Sequence, residues 1–164
     1  MGRKSKKLSK EEKMEVEEWI YQNNTEETRM TDTMTITVKC KTENQKILVN
    51  AIKGKEIIVC SGPAGSGKTF LACAEALRLI KRNSKFKKIV IVKSVTTLKN
   101  EEIGFLKGNL REKMEPFMFS FVHNFEKIVG QSITSKLREL KTIEELPIAY
   151  MRGINLDRSI VIID

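Results

Sequence analysis

Gly62-Pro63-Ala64-Gly65-Ser66-Gly67-Lys68-Thr69 satisfies the pattern G-x-x-x-x-G-K-[ST] at every fixed position. Each residue type answers a need of phosphate chemistry. The glycines let the backbone curl closely around an anion with its N–H groups turned inward. A helix starting at the end of the loop adds the partial positive charge of its N-terminus. Lys68 can reach the outer phosphates, and the Thr69 hydroxyl can ligate Mg²⁺. Phe70, the next residue, completes the set expected to lie against a nucleoside triphosphate.

The flanks fit this reading. Upstream, Ile57–Cys60 is a short run with apolar side chains on both faces, as in a strand buried within a parallel sheet. Downstream, Thr69–Arg82 places Phe70, Leu71, Ala74, Leu77 and Ile80 at helical spacing. Ile89–Val92 reads as a second buried strand and Ile160–Ile163 as a third. Between them lies a mainly helical stretch with an apolar stripe of Met114, Phe117, Met118, Phe121, Val122, Phe125 and Val129. That stripe reads as a core-facing helix. Gln45–Lys53 predicts another helix with Gly54 as its stop. Residues 33–40 alternate Met34, Ile36, Val38 and Cys40 with polar partners, the period of a half-buried strand. Ser9 and Glu12 form a capping box for a helix reaching about Tyr21, and the polar stretch Gln22–Asp32 reads as a linker. The expected organisation is a basic tail, short helix and linker over residues 1–32, then an α/β domain over 33–164. Strands separated by helical segments make its sheet parallel.

The last five residues, Ile160-Val161-Ile162-Ile163-Asp164, form a hydrophobic strand ending in an acid. With a phosphate loop about a hundred residues upstream, this is the form of a Walker B motif, whose aspartate holds Mg²⁺ through water.

Composition narrows the classes further. The chain has 164 residues, 40% of them hydrophobic, enough for one sizeable core. No apolar run approaches the ~18 residues needed to cross a bilayer, and the charged N-terminus has no apolar stretch behind it, so no membrane role is expected. Three cysteines without paired spacing read as reduced core residues of a cytoplasmic protein, and His123 alone cannot complete a metal centre with them. A net charge of +9 favours polyanionic partners, although the tail and the Lys81–Lys88 cluster also read as solvated basic surface.

Three blocks, GPAGSGKTFLACAEAL, GFLKGNLREKMEPF and AYMRGINLDRSIVIID, in this order, resemble the PhoH family of phosphate-starvation-inducible ATPases, relatives of superfamily-one helicases. The resemblance covers about Glu43 to Asp164. It implies a P-loop NTPase of RecA or helicase type, a three-layer parallel sheet, with ATP and Mg²⁺ as cofactors. Lys68 and Asp164 would be catalytic, residues 62–70 would hold the nucleotide, and Thr69 and Asp164 would hold the metal. Gln45 stands where the related helicases use a glutamine on the adenine edge; a solvated glutamine near a helix start reads equally well. Lys107 and Asn109 replace the family's usual Pro and Asp, and Lys93-Ser94 stands in place of Arg-Pro, losing the bidentate fork. Arg152, in the YMRG element, would sense a phosphate or reach a neighbouring subunit; a surface arginine is the alternative.

The resemblance also places a further strand between the phosphate-loop strand and the Walker B strand. A chain ending at Asp164 is therefore expected to be a fragment, with a gap in its sheet, an unpaired edge at Ile57–Cys60, and a tendency to aggregate. The expected function is ATP hydrolysis coupled to RNA or single-stranded DNA in the complete protein, with ring-shaped homo-oligomers left open. The fragment itself is expected to bind nucleotide with little turnover. Two alternatives are a nucleotide-dependent binding module and a P-loop small-molecule kinase, the latter lacking its usual Arg-rich lid.

Overall fold

The computed structural model describes residues 9–82, 85–93 and 110–164. The element order is α1 (Lys10–Thr33), α2 (Glu43–Gly54), α3 (Lys68–Arg82), β1 (Lys88–Lys93), α4 (Leu110–Val129), α5 (Gln131–Glu139), β2 (Ile143–Pro147), a 3₁₀ turn at Ile148–Tyr150, and β3 (Ser159–Ile163). The three strands form one sheet in the order β2-β1-β3, with β1 parallel to both neighbours. The fold is α/β with a parallel sheet, as expected.

The core grows from the central strand. Ile89, Val90, Ile91 and Val92 are all 0% exposed. On one face of β1, Ile89 and Ile91 join Cys73, Ala74, Leu77 and Ile80 of α3 and Met118, Phe121, Phe125 and Ile128 of α4 in a single apolar cluster. The stripe predicted along α4 is therefore core at Met118, Phe121 and Phe125. Leu137 of α5 and Ile143 of β2 close the same cluster. Fully burying each Ile, Leu, Met or Phe side chain of the cluster contributes about 1.5–3 kcal/mol.

Five expectations are corrected. The stretch Gln22–Asp32 is helix, not linker: α1 runs unbroken to Thr33, packs on α3 and α5, and buries Thr31. Its glutamates, glutamine, arginine and methionine are good helix formers, so polarity there does not argue against a helix. Residues 34–40 keep the predicted alternation, with Met34 buried and Ile36 and Val38 packed on the core, but they join no strand ladder among the described residues. Their backbone acceptors are taken by α3 instead. Lys81 Nζ donates to the carbonyls of Asp32 (2.9 Å) and Met34 (2.6 Å), while Arg78, paired with buried Glu75, donates to those of Ile36 and Val38. Side-chain donors have replaced a neighbouring strand.

The stretch Ile57–Cys60 is extended without ladder partners among the described residues, and it is open to solvent: Ile57 is 87% and Val59 94% exposed. Cys60 is likewise exposed, not a core residue. β3 is half-open as well. Ile160 and Ile162 pack on the core, while Ile163 is 64% exposed. A cavity of about 840 Å³, lined by Ile58 and Cys60 on one side and Ile160 and Ile162 on the other, separates the two runs.

Candidate functional site

The site assembles where α2 and α3 begin and β1 and β3 end. Thr42 caps α2, its Oγ1 accepting from Gln45 N at 3.3 Å. The cap fixes Gln45, whose Oε1 accepts from Lys41 N (2.6 Å) and whose Nε2 donates to Ser66 O (3.0 Å). Both ends of the amide are thus engaged, and Gln45 braces the phosphate loop. Gly67 lies directly against this brace. Its φ is +87°, and a Cβ there would sit 3.4 Å from Gln45 Nε2. Gly65, with φ +75° and open space around it, is required for conformation alone.

The loop encloses its own lysine. Lys68 Nζ donates to Gly62 O (2.9 Å), Pro63 O (2.8 Å) and Ser66 Oγ (3.3 Å). These bonds hold the ammonium at the centre of the turn, where incoming phosphate oxygens would replace neutral carbonyls as charge-assisted acceptors. Leu71 N donates to Gly67 O at 2.9 Å, so α3 starts directly from the loop and its axis points at the turn. Ala64 lies within the turn, and Phe70 points away from it, packing against the core.

Asp164 arrives from the other end of the sequence. Asp164 N donates to Val92 O at 3.0 Å, which carries the β1–β3 register one residue beyond Val92–Ile163. Lys93 and Asp164 consequently stand side by side on the face that carries Ile91 and Ile162. Thr69 Oγ1, in the first turn of α3, donates to Asp164 Oδ1 at 3.3 Å across 95 residues of chain. Lys93 Nζ lies 3.7 Å from Asp164 Oδ2 and 5.7 Å from the centre of the Phe121 ring. One turn below Thr69, burial pushes the Cys73 thiol up to about 12, the Asp164 carboxylate adding to the shift.

Lys68, Thr69 and Asp164 are thus brought together. Arg152 is exposed on the turn leading to β3, with Gly153 at φ +80° beside it. The GFLKGN segment and Ser94 lie outside the described residues. The Lys93–Asp164 pair was missed from the sequence, although a signal exists: two four-residue apolar runs, Ile89–Val92 and Ile160–Ile163, are each followed by a charge, and the charges are opposite. Among the described residues no cluster of three or more His, Cys, Asp or Glu side chains could hold a metal, and no helix is long and apolar enough to cross a membrane.

Comparison with known proteins places the sequence in one family. The family described as PhoH-like protein matches residues 37–164. A PhoH-like protein of Bacillus subtilis (strain 168) is 34% identical over 158 residues, covering 96% of this chain and 48% of that protein. A PhoH-like protein of Synechocystis sp. is 35% identical over 127 residues, covering 77% of this chain and 38% of that protein. Protein PhoH of Escherichia coli (strain K12) is 30% identical over 129 residues, covering 77% and 36%. The chain therefore spans half or less of the length of these relatives. On the match of its whole α/β region, phosphate loop included, the chain belongs to the PhoH-like protein family.

Proposed function

We propose that residues 62–70, braced by Gln45, bind ATP with Mg²⁺, and that the complete polypeptide hydrolyses it. The observation that carries this reading is the 3.3 Å bond between Thr69 and Asp164 at the mouth of the phosphate loop. The β1–β3 register and the packing of α3 on the sheet bring these two residues, 95 apart in the chain, together at a half-exposed position. The donor set fits a hard divalent ion: a hydroxyl that gives its proton to Asp164 keeps its lone pairs free, and the carboxylate remains as an oxygen acceptor. Mg²⁺ at such a site would neutralise charge developing on the phosphates.

The chain's own residues supply the rest. Backbone N–H groups of the loop and the α3 N-terminus orient the phosphates. Lys68 exchanges its carbonyl partners for outer phosphate oxygens and stabilises the charge of transfer. Asp164 holds Thr69 in the rotamer that presents its oxygen. RNA or single-stranded DNA is the polyanion we propose as partner, on the strength of the +9 charge. Three free cysteines support a cytoplasmic setting.

The test is ATP turnover with Mg²⁺ by the complete polypeptide, alone and with single-stranded RNA or DNA, against Lys68→Ala. Turnover that falls at least ~100-fold in the variant supports the reading. Nucleotide binding without turnover in any of these conditions replaces it with a nucleotide-gated binding module. Phosphate transfer to a small acceptor replaces it with a kinase.

A further inference from the structure

We propose that Lys93 is the resident counter-cation of Asp164 and competes with the divalent metal for that carboxylate, so that it sets how tightly metal is held. The inference rests on the reading of Asp164 as a metal-holding residue.

Three observations lead to it. The register of β1 with β3 puts the two side chains on one face at adjacent strand ends, so their proximity is fixed by the sheet and not by a chance rotamer. The 3.7 Å separation is too long for a hydrogen bond, which makes the contact Coulombic and easily displaced. The ammonium has a second resting place, because it already lies 5.7 Å from the Phe121 ring centre, within range of a cation–π attraction.

The two oxygens of Asp164 therefore have separate duties. Oδ1 accepts from Thr69, while Oδ2 faces Lys93. Lys68 cannot serve as the counter-ion, being bound to Gly62, Pro63 and Ser66. A divalent ion arriving at Asp164 meets a site whose negative charge is already offset and whose neighbour is a cation. Metal alone is disfavoured; metal carried on a polyphosphate brings the negative charge that offsets Lys93. Both side chains are partly exposed, at 28% and 45%, so solvent screening limits the effect to roughly three- to five-fold in affinity.

The experiment is Mn²⁺ binding followed by electron paramagnetic resonance, with and without a non-hydrolysable ATP analogue. The full chain is compared with Lys93→Met, Lys93→Arg and Asp164→Asn, and the melting temperature of each variant is recorded. Lys93→Met is expected to tighten Mn²⁺ binding roughly three- to five-fold, more without the analogue than with it. Lys93→Arg, which keeps the charge, is expected to stay within about two-fold of the parent chain. Asp164→Asn is expected to weaken binding. Unchanged or weaker Mn²⁺ binding in Lys93→Met, with Asp164→Asn still damaging, overturns the role of Lys93 alone. A lower melting temperature without tighter metal binding assigns Lys93 a structural role and also overturns it. Indifference of Asp164→Asn removes the metal-site reading and the Lys93 proposal with it.

Discussion

Ile89-Val90-Ile91-Val92 and Ile57-Ile58-Val59-Cys60 are nearly the same peptide, yet they have opposite fates. The first is wholly inaccessible at the centre of the sheet; in the second, Ile57 and Val59 are almost fully exposed. Intrinsic preference hardly separates them, because both are four-residue apolar runs, β-branched at every position but Cys60. Pairing separates them. β1 has a parallel neighbour on each edge and helices α3 and α4 over its Ile89–Ile91 face. Ile57–Cys60 lines a cavity and has no ladder partner among the described residues. A strand is a relation between segments before it is a property of one.

The largest effect that tests this contrast is a charge placed in each run. Ile91→Asp buries a carboxylate with no partner in the apolar cluster, and it is expected to cost about 4–5 kcal/mol or to prevent folding. Urea titration of the soluble fraction measures it. A milder cut, Ile91→Ala, is expected to cost about 2–4 kcal/mol through lost burial and the cavity left behind. A cost below ~1 kcal/mol would show the core under β1 to be loosely packed.

Cys73 and Cys60 carry the same contrast into chemistry. The Cys73 thiol titrates at about 12 in the folded chain against an ordinary 9.0. Between those values the unfolded chain has released a proton that the folded chain keeps, so stability is full below pH 9 and falls as pH rises towards 12. Cys73→Ala is expected to flatten that alkaline loss relative to the parent chain. At pH 8 a thiol reagent should label exposed Cys60 quickly and buried Cys73 only on unfolding. Equal labelling rates would overturn the packing of α3. Gly67→Ala is smaller in stability, about 1–2 kcal/mol, because it strains a positive φ and crowds Gln45. It should weaken nucleotide binding more than it lowers the melting temperature.

Legibility in the sequence followed the range of the causes. α2, α3 and β1 are set by local spacing, and they lie where spacing placed them; the α4 stripe is core at Met118, Phe121 and Phe125, while the side chains of Met114 and Phe117 lie outside the described residues. β2 was hidden because Ile143–Pro147 carries two glutamates and does not look like a strand. Its acids are paired, Glu144 with Lys88 at 2.8 Å and Glu145 with Arg138 at 2.8 Å, and both partners come from distant or separate elements. Residues 34–40 looked like a strand because alternation reports burial, not pairing, and Arg78 and Lys81 took the acceptors a neighbour would have used. Within the site, Lys68 and Thr69 were readable from a motif. The contact of Lys93 with Asp164 depends on a register no single segment encodes.

Val59→Lys is the smallest of the expected effects on stability and the sharpest for the comparison. A side chain 94% exposed loses almost nothing on folding when it is exchanged, so the change should lie within about 0.5 kcal/mol of the parent chain. Solubility should rise, because an exposed apolar run beside the open edge of β3 is a template for pairing between molecules, and a lysine there blocks it. Static light scattering across a concentration series reads this directly. Suppose instead that Val59→Lys costs as much as Ile91→Ala. Then Val59 is packed in solution as Ile91 is, the cavity beside β3 is filled by polypeptide, and the two runs differ only in where their partners come from. Either result ranks pairing above composition. Only a stability loss at Val59 with no change in its thiol neighbour's labelling at Cys60 would break the comparison itself, since burial of the run must cover both residues.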